Sequence, residues 1–263
     1  MEIVRGDHGV FEVSPELDPV IYRHLRDYGA QQRGDLEMLL TLLEPGSVVY
    51  DVGAHIGTFA IPFARALGPA GRVIAIEGSP DTALSLQQNV NLNDLGHRVT
   101  VHHAVVTDGS AEKFQPVRAT ENRGRTQFAR GGTITSLSLD ELDAPAPDLL
   151  KIDVEGMEPL VLRGAHQHLL RSRPFVFFET NADKEALGET IQWLLSLGYH
   201  FFVNAGDRNA RRPKYRIAPI HPDRAHEHKD LLAVPTERLQ AVGASSRSHH
   251  LWRAAFIAHV RLL

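Results

Sequence analysis

The stretch Val48–Gly57, VVYDVGAHIG, most constrains what this chain can fold into. Three β-prone apolar residues, Val48, Val49 and Tyr50, run into Asp51, and the chain then turns through Gly53 and Gly57 into an apolar segment. A buried strand, a glycine turn and a helix start form the first unit of a doubly wound α/β domain. Gly53 permits a positive φ and lets a ligand approach bare backbone. Val73–Ser79, VIAIEGS, is a second apolar strand, and it ends in an acid, Glu77. A carboxylate there can accept both hydroxyls of a ribose, which implies an adenosine-type cofactor in the crevice beyond the strand ends.

The spacing of the turn narrows the cofactor. A dinucleotide needs GxGxxG, so that its pyrophosphate meets bare backbone at the helix N-terminus. Here the pattern is Asp51-x-Gly53-x-x-x-Gly57, with fewer glycines and a carboxylate in front. S-adenosylmethionine (SAM) has no phosphate; it carries an ammonium and a cationic sulfonium, and Asp51 suits its amino acid end. A nicotinamide-dependent oxidoreductase is disfavoured by the same spacing.

Composition removes other classes. The 263 residues are 43% hydrophobic and 23% charged, ordinary for a globular protein. A net charge of −4 and a pI near 6.4 argue against an electrostatic grip on nucleic acid. With no cysteine, disulfides, thiolate catalysis and cysteine metal sites are excluded. The 15 histidines are scattered without convincing metal-ligand spacing. The N-terminus lacks a basic-then-apolar signal and no run approaches membrane-spanning length, so a soluble, cytoplasmic protein without a membrane partner is expected.

In chain order, residues 1–13 read as a short strand or hairpin, and Asp18–Tyr28 and Gly34–Leu43 as helices. Tyr28-Gly29 and Glu37 lie where a lid over the cofactor could form. A helix over Thr58–Leu67 follows the glycine turn. Ser79-Pro80 opens another, with serine as N-cap and proline at N1. Val99–Val106 is the third strand. The segment 107–135 then breaks the α/β alternation: it is glycine-rich, lacks helical periodicity, and reads as a β-hairpin or mobile loop over the substrate. Leu149–Ile152 and Pro174–Glu179 are further strands, Glu158–Leu170 and Lys184–Leu197 helices, and Tyr199–Val203 and Asp230–Val234 the last strands. Arg208–Arg216 is a basic loop that could meet an anionic substrate. This divides the chain into an N-terminal cap (1–44), a cofactor-binding domain (45–239, with the insert 107–135) and a C-terminal tail (240–263) that packs on the core or on a second subunit, as in a homodimer.

Four strands end in acids: Asp51, Glu77, Asp153 and Glu179. In a parallel sheet these ends share one edge. With Asp51 and Glu77 on the cofactor, Asp153 and Glu179 remain for chemistry. Methyl transfer from a sulfonium is an in-line displacement, and an alcohol acceptor needs a general base or a hard cation that lowers its pKa. Asp153, Glu179 and Asn181 supply oxygen ligands suited to Mg²⁺. Alternatively, Asp153 takes the proton itself. Salt bridges to Lys151 or Arg163 compete for Glu155 and Glu158.

The segments VVYDVGAHIGTFA, AIEGSPDTALSLQQNVNLN, LLKIDVEGMEPLVLRGA and HKDLLAVP together resemble the FkbM family of SAM-dependent methyltransferases, over roughly residues 45–235. The resemblance implies a class I methyltransferase fold, a Rossmann-like doubly wound α/β domain with a mostly parallel seven-stranded sheet. It also implies O-methylation of a hydroxyl on a sugar, polyketide or other small natural product. Gly78 departs from it, since the family usually has asparagine or proline around that position. The residues expected around the cofactor are Asp51, Gly53, His55, Gly57, Glu77, Ser79, Ala104 and Asp153. N-methylation of a small molecule and a non-catalytic SAM-binding module remain as alternatives.

Overall fold

The computed structural model describes residues 1–117, 123–180, 183–207 and 215–245. Its centre is a sheet whose strands, numbered in chain order, are β1 (Val48–Val52), β2 (Arg72–Glu77), β3 (Val99–His103), β4 (Leu149–Ile152), β5 (Phe175–Glu179), β6 (Tyr199–Asn204), β7 (Ile217–Pro219) and β8 (Asp230–Pro235). Their spatial order is β7-β6-β8-β5-β4-β1-β2-β3. The five strands β3, β2, β1, β4 and β5 pair in parallel, and β8, β6 and β7 join antiparallel. The expected mostly parallel seven-stranded sheet is present and carries one short edge strand more, β7.

Strand residues alternate between two apolar layers. Val49, Val73, Leu149 and Phe175 face one layer, with Leu36, Phe63 and Leu86 from the helices α2 (Arg33–Leu40), α3 (Ala60–Ala66) and α4 (Pro80–Leu92). Tyr50, Ile74, Leu150 and Val176 face the other, with Val161, Leu169 and Ile191 from α5 (Glu158–Arg163), α6 (His166–Arg171) and α7 (Lys184–Ser196). Helices therefore cover both faces, as continuous apolar strands require. Among the described residues, no helix is long and apolar enough to cross a membrane.

Two expected elements are split. The strand expected over Val99–Val106 leaves the main sheet at Ala104, and Val105–Val106 pairs instead with Ser136–Leu137. This second sheet is completed by the insert, whose strands Lys113–Val117 and Gln127–Arg130 form the expected hairpin. The helix expected over Glu158–Leu170 breaks at Gly164, whose carbonyl accepts from Asp140 N and Ser138 Oγ instead of continuing the helix. The Asp140 carboxylate then caps the second half through Gln167 N and His168 N. Most of the C-terminal tail, with Trp252 and Phe256, lies outside the described residues, as does the basic loop over 208–214.

The N-terminal hairpin, Glu2–Arg5 with Val10–Val13, docks on α4 through two asparagine amides one turn apart. Asn89 accepts from Glu12 N (2.7 Å) and donates to Glu12 O and Ile56 O, while Asn93 accepts from Val10 N and donates to Val10 O. The amides act as a pairing strand for an otherwise open edge. Because Asn89 is fully buried, Asn89→Ala leaves several backbone groups without partners. An expected loss of about 2–4 kcal/mol follows from the cost of unsatisfied buried groups, read by urea unfolding. A loss below about 0.5 kcal/mol would show that the hairpin is held by other contacts.

Candidate active site

A cavity opens at the C-terminal edge of the parallel strands. The glycine turn, the end of β2 and the residues after β4 form its floor, while Val20, Ile21, Gln31 and Gln32 of the N-terminal cap and Arg123–Thr126 and Phe128 of the insert close over it. Of the residues expected at the site, Gly53, His55, Glu77, Ala104, Asp153 and Glu179 all line this cavity. Asp51, Gly57 and Ser79 do not lie on its wall, and Asn181 lies outside the described residues. The lid expected at Tyr28-Gly29 and Glu37 is displaced to the neighbouring Gln31 and Gln32; the Glu37 carboxylate instead pairs with Arg33 at 2.9 Å.

Glu77 organises the cofactor end. Its Oε2 accepts from His55 N (3.0 Å) and its Oε1 from Ser79 N (2.8 Å). Each oxygen keeps a lone pair for a further donor, and the carboxylate faces the cavity, so its geometry fits two ribose hydroxyls. Ser79 contributes its backbone N–H here; its hydroxyl accepts from Thr82 rather than capping α4. Gly53 adopts a φ of 75° where a Cβ would stand 1.9 Å from Asp153 O, so the turn of β1 packs against the end of β4 only because no side chain intervenes. His55 holds a left-handed backbone with a φ of 50°. Its Nε2 lies 3.4 Å from Asp18 Oδ1 without hydrogen-bond alignment, and neither ring nitrogen has a partner. Burial pushes its pKa down to about 4, so the ring is neutral. Among the described residues, five non-glycines have positive φ, and three of them, Gln32, His55 and Glu155, line this cavity. Such concentration of backbone strain is characteristic of binding sites.

Asp51 has a different place from the one expected. Lys151 stands opposite it across β1 and β4. The Lys151 Nζ is 3.0 Å from Asp51 Oδ1, 3.8 Å from Asp153 Oδ2 and 5.2 Å from the Phe59 ring centre, and it donates to Gly53 O. Burial opposes the Lys151 charge, yet Asp51 and Asp153 hold its pKa above the ordinary lysine value. With 0% of Asp51 exposed, its carboxylate faces Lys151 and does not lie on the cavity wall. Of the two acids for which a salt bridge to Lys151 or Arg163 competed, Glu158 turns one carboxylate oxygen to the loop after β4: its Oε1 accepts from Val154 N and Gly156 N.

The chemical end holds Asp153, Glu155 and Glu179, each with a carboxylate oxygen within 4.8 Å of the others. Antiparallel pairing of β5 with β8 brings Lys229 beside Glu179, Nζ to Oε1 at 2.7 Å. Glu179 is 2% exposed and its Oε2 has no hydrogen-bond partner among the described residues. Burial and the Asp153 charge outweigh the Lys229 ammonium and push the Glu179 carboxyl up to about 8. A carboxyl of that kind exchanges a proton near neutral pH.

The roof is fixed by a buried ion pair. The Arg123 guanidinium forks onto both oxygens of Asp18, and Arg123 N donates to Leu17 O. Sequence reasoning identified neither this clasp nor Lys229 nor Phe128. Lys229 does fall in the HKDLLAVP segment, but Arg123 carries no local signal.

Residues 51–201 match the methyltransferase FkbM domain family. The chain belongs to this family. It is 31% identical over 158 residues to a hexuronic acid methyltransferase of Haloferax volcanii, an alignment covering 57% of this chain and 64% of that protein. Over a shorter stretch of 55 residues it is 44% identical to the catechol O-methyltransferase of Sus scrofa, covering 21% of this chain and 30% of that one. The chain thus spans less than two thirds of the length of either relative. Among solved structures it is similar to an FkbM methyltransferase from Methylobacillus flagellatus KT (TM-score 0.49, 19% identity, 73% of this chain and 44% of that chain).

The Lys151–Asp51 pair yields a stability prediction. Removing one partner of a buried pair strands the other charge, so Lys151→Met is expected to cost about 3–5 kcal/mol. The double variant Lys151→Met/Asp51→Asn should recover most of that loss in chemical unfolding. Additive losses would contradict direct coupling.

Proposed function

We propose that this FkbM methyltransferase O-methylates a hydroxyl of a sugar, with a hexuronic-acid-bearing acceptor as the first choice. The observation that carries the reading is the meeting of Asp153 and Glu179 at the strand ends, beyond the glycine turn. The hexuronic acid methyltransferase among its relatives supports a sugar acceptor, and Lys229 offers an acidic sugar a cation on the cavity wall.

SAM bound at the site supplies an electrophilic methyl group on a positively charged sulfur. Glu77, with the His55 and Ser79 amides behind it, holds the ribose hydroxyls. Asp153 receives the acceptor's hydroxyl proton as the oxygen–methyl bond forms and the sulfur–methyl bond breaks, and S-adenosylhomocysteine leaves as a neutral thioether. Glu179 is the second proton site, and Lys229 balances its charge. Gln31, Gln32 and the Arg123–Thr126 segment keep water from the reacting atoms, so that alignment is preserved.

A second reading is favoured by the grouping of Asp153, Glu155 and Glu179, which suits a Mg²⁺ ion with oxygen ligands. Lys229 already supplies a cation to Glu179, so the acid–base reading is preferred.

Labelled SAM, incubated with hexuronic-acid glycans and with neutral hexoses, should label an ether oxygen of the acidic acceptor, identified by mass spectrometry and NMR. Methylation at nitrogen, or of neutral sugars alone, would contradict the proposal. EDTA should leave turnover intact; loss in EDTA restored by Mg²⁺ would establish the second reading. Asp153→Asn should lower kcat by about 10²–10⁴-fold while SAM affinity stays within about twofold. Because Glu179 gains its negative charge only as pH rises through about 8, kcat/KM should climb toward that pH and level off above it. Glu179→Gln should remove the limb, whereas a flat wild-type profile between about pH 6 and 9 would contradict a role for the pair.

A further inference from the structure

Gly78 lies directly after Glu77 and on the cavity wall. It is filled from elsewhere. A Cβ built on Gly78 would stand 2.5 Å from Phe128 Cζ and 3.0 Å from both Cε atoms of that ring. Phe128 therefore rests on the bare backbone of Gly78, and no other residue type at position 78 leaves room for it without displacement. The ring comes from the insert strand Gln127–Arg130, paired with Pro116 across the hairpin, and it packs on the apolar cluster of Val105, Phe114 and Ile134.

The surroundings of the ring specify what it meets. Around Glu77 the cavity wall includes the apolar residues Ile76, Gly78, Ala104, Val105 and Phe128, the Ala104 amide donating to Glu77 O. A nucleoside whose ribose hydroxyls sit on Glu77 has its base one bond from the sugar, in this apolar end. Adenine is flat, uncharged at neutral pH and presents a π face, and an aromatic ring at that end offers it a stacking surface.

We propose that Phe128 is a cofactor-binding residue that supplies an aromatic face for the adenine ring of SAM, and that Gly78 is glycine so that the ring can reach that place. The insert is then part of the cofactor site as well as a roof over the acceptor. This inference rests on the reading that Glu77 holds the ribose.

Isothermal titration with S-adenosylhomocysteine and with 5′-methylthioadenosine tests it. The second ligand keeps the nucleoside and lacks the amino acid end. Stacking of one base on one aromatic ring corresponds to roughly a 5- to 150-fold change in affinity. Phe128→Ala is expected to weaken both ligands by about tenfold or more, and by the same factor. Phe128→Leu keeps apolar volume in the second sheet, and should weaken both while melting near the wild-type temperature. Gly78→Ala, which pushes the ring away, should weaken binding in the wild-type background and change nothing further in Phe128→Ala. Wild-type affinity in folded Phe128→Ala and Phe128→Leu proteins, or tighter binding in either, would overturn the proposal. So would a Gly78→Ala effect that persists without Phe128. If Glu77→Ala leaves affinity unchanged while the Phe128 variants lose it, the ribose reading fails and the aromatic contact stands. The converse pattern removes Phe128 alone.

Discussion

The site depends on how the Glu77 carboxylate is held. One oxygen takes the His55 amide from the glycine turn after β1, the other takes the Ser79 amide that opens α4. The Gly53 and Ala54 amides donate in turn to Ile76 O, the residue before it. Two adjacent strand ends are thus tied into one rigid corner, and hydrogen bonds to a charged acceptor are the strong ones. Burial pushes the Glu77 carboxyl above the ordinary carboxylate range, and these two amides oppose that shift. What remains of its acceptor capacity faces the cavity and is already oriented for a ligand.

A second constraint is charge balance across the sheet edge. Five acids, Asp51, Glu77, Asp153, Glu155 and Glu179, and two lysines, Lys151 and Lys229, meet at this edge. Lys151 neutralises Asp51 in the layer beneath the turn and reaches toward Asp153 from below. Lys229 arrives directly before the antiparallel strand β8 and meets Glu179 from the side. The parallel half of the sheet accordingly builds the Glu77 corner, while the antiparallel half brings a cation to Glu179. The clasp of Arg123 on Asp18 then joins the insert to the N-terminal cap above both. The Glu77 corner, the Glu179–Lys229 pair and the roof come from separate parts of the chain.

Much of this was legible in the sequence, for physical reasons that differ from residue to residue. VVYDVGAHIG and VIAIEGS are local patterns whose strand, turn and acid lie within a few residues of each other, and they located the corner at Gly53 and Glu77. The pairing of Asp51 was not legible because it is made with a partner 100 positions away. Only the β1–β4 register places Lys151 opposite it. The split of Val99–Val106 at Ala104 was hidden for a similar reason, since its two halves satisfy their backbone in different sheets. Gly78 was visible as an anomaly, but its meaning required knowing that Phe128 crosses over it. The Arg123–Asp18 pair joins residues that no periodicity connects.

The central claim is that Glu77 selects the cofactor through its ribose hydroxyls, and the most direct measurement varies the ligand rather than the fold. Binding of S-adenosylhomocysteine and of its 2′,3′-dideoxyribose analogue is measured by titration on wild-type protein and on folded Glu77→Ala. Loss of hydrogen bonds to a charged acceptor, at about 1.5–3 kcal/mol, predicts that the wild type prefers the natural ribose by roughly tenfold or more. The preference should fall toward one in the variant. Equal affinity of the wild-type protein for the two ligands, or an undiminished preference in Glu77→Ala, would contradict the account.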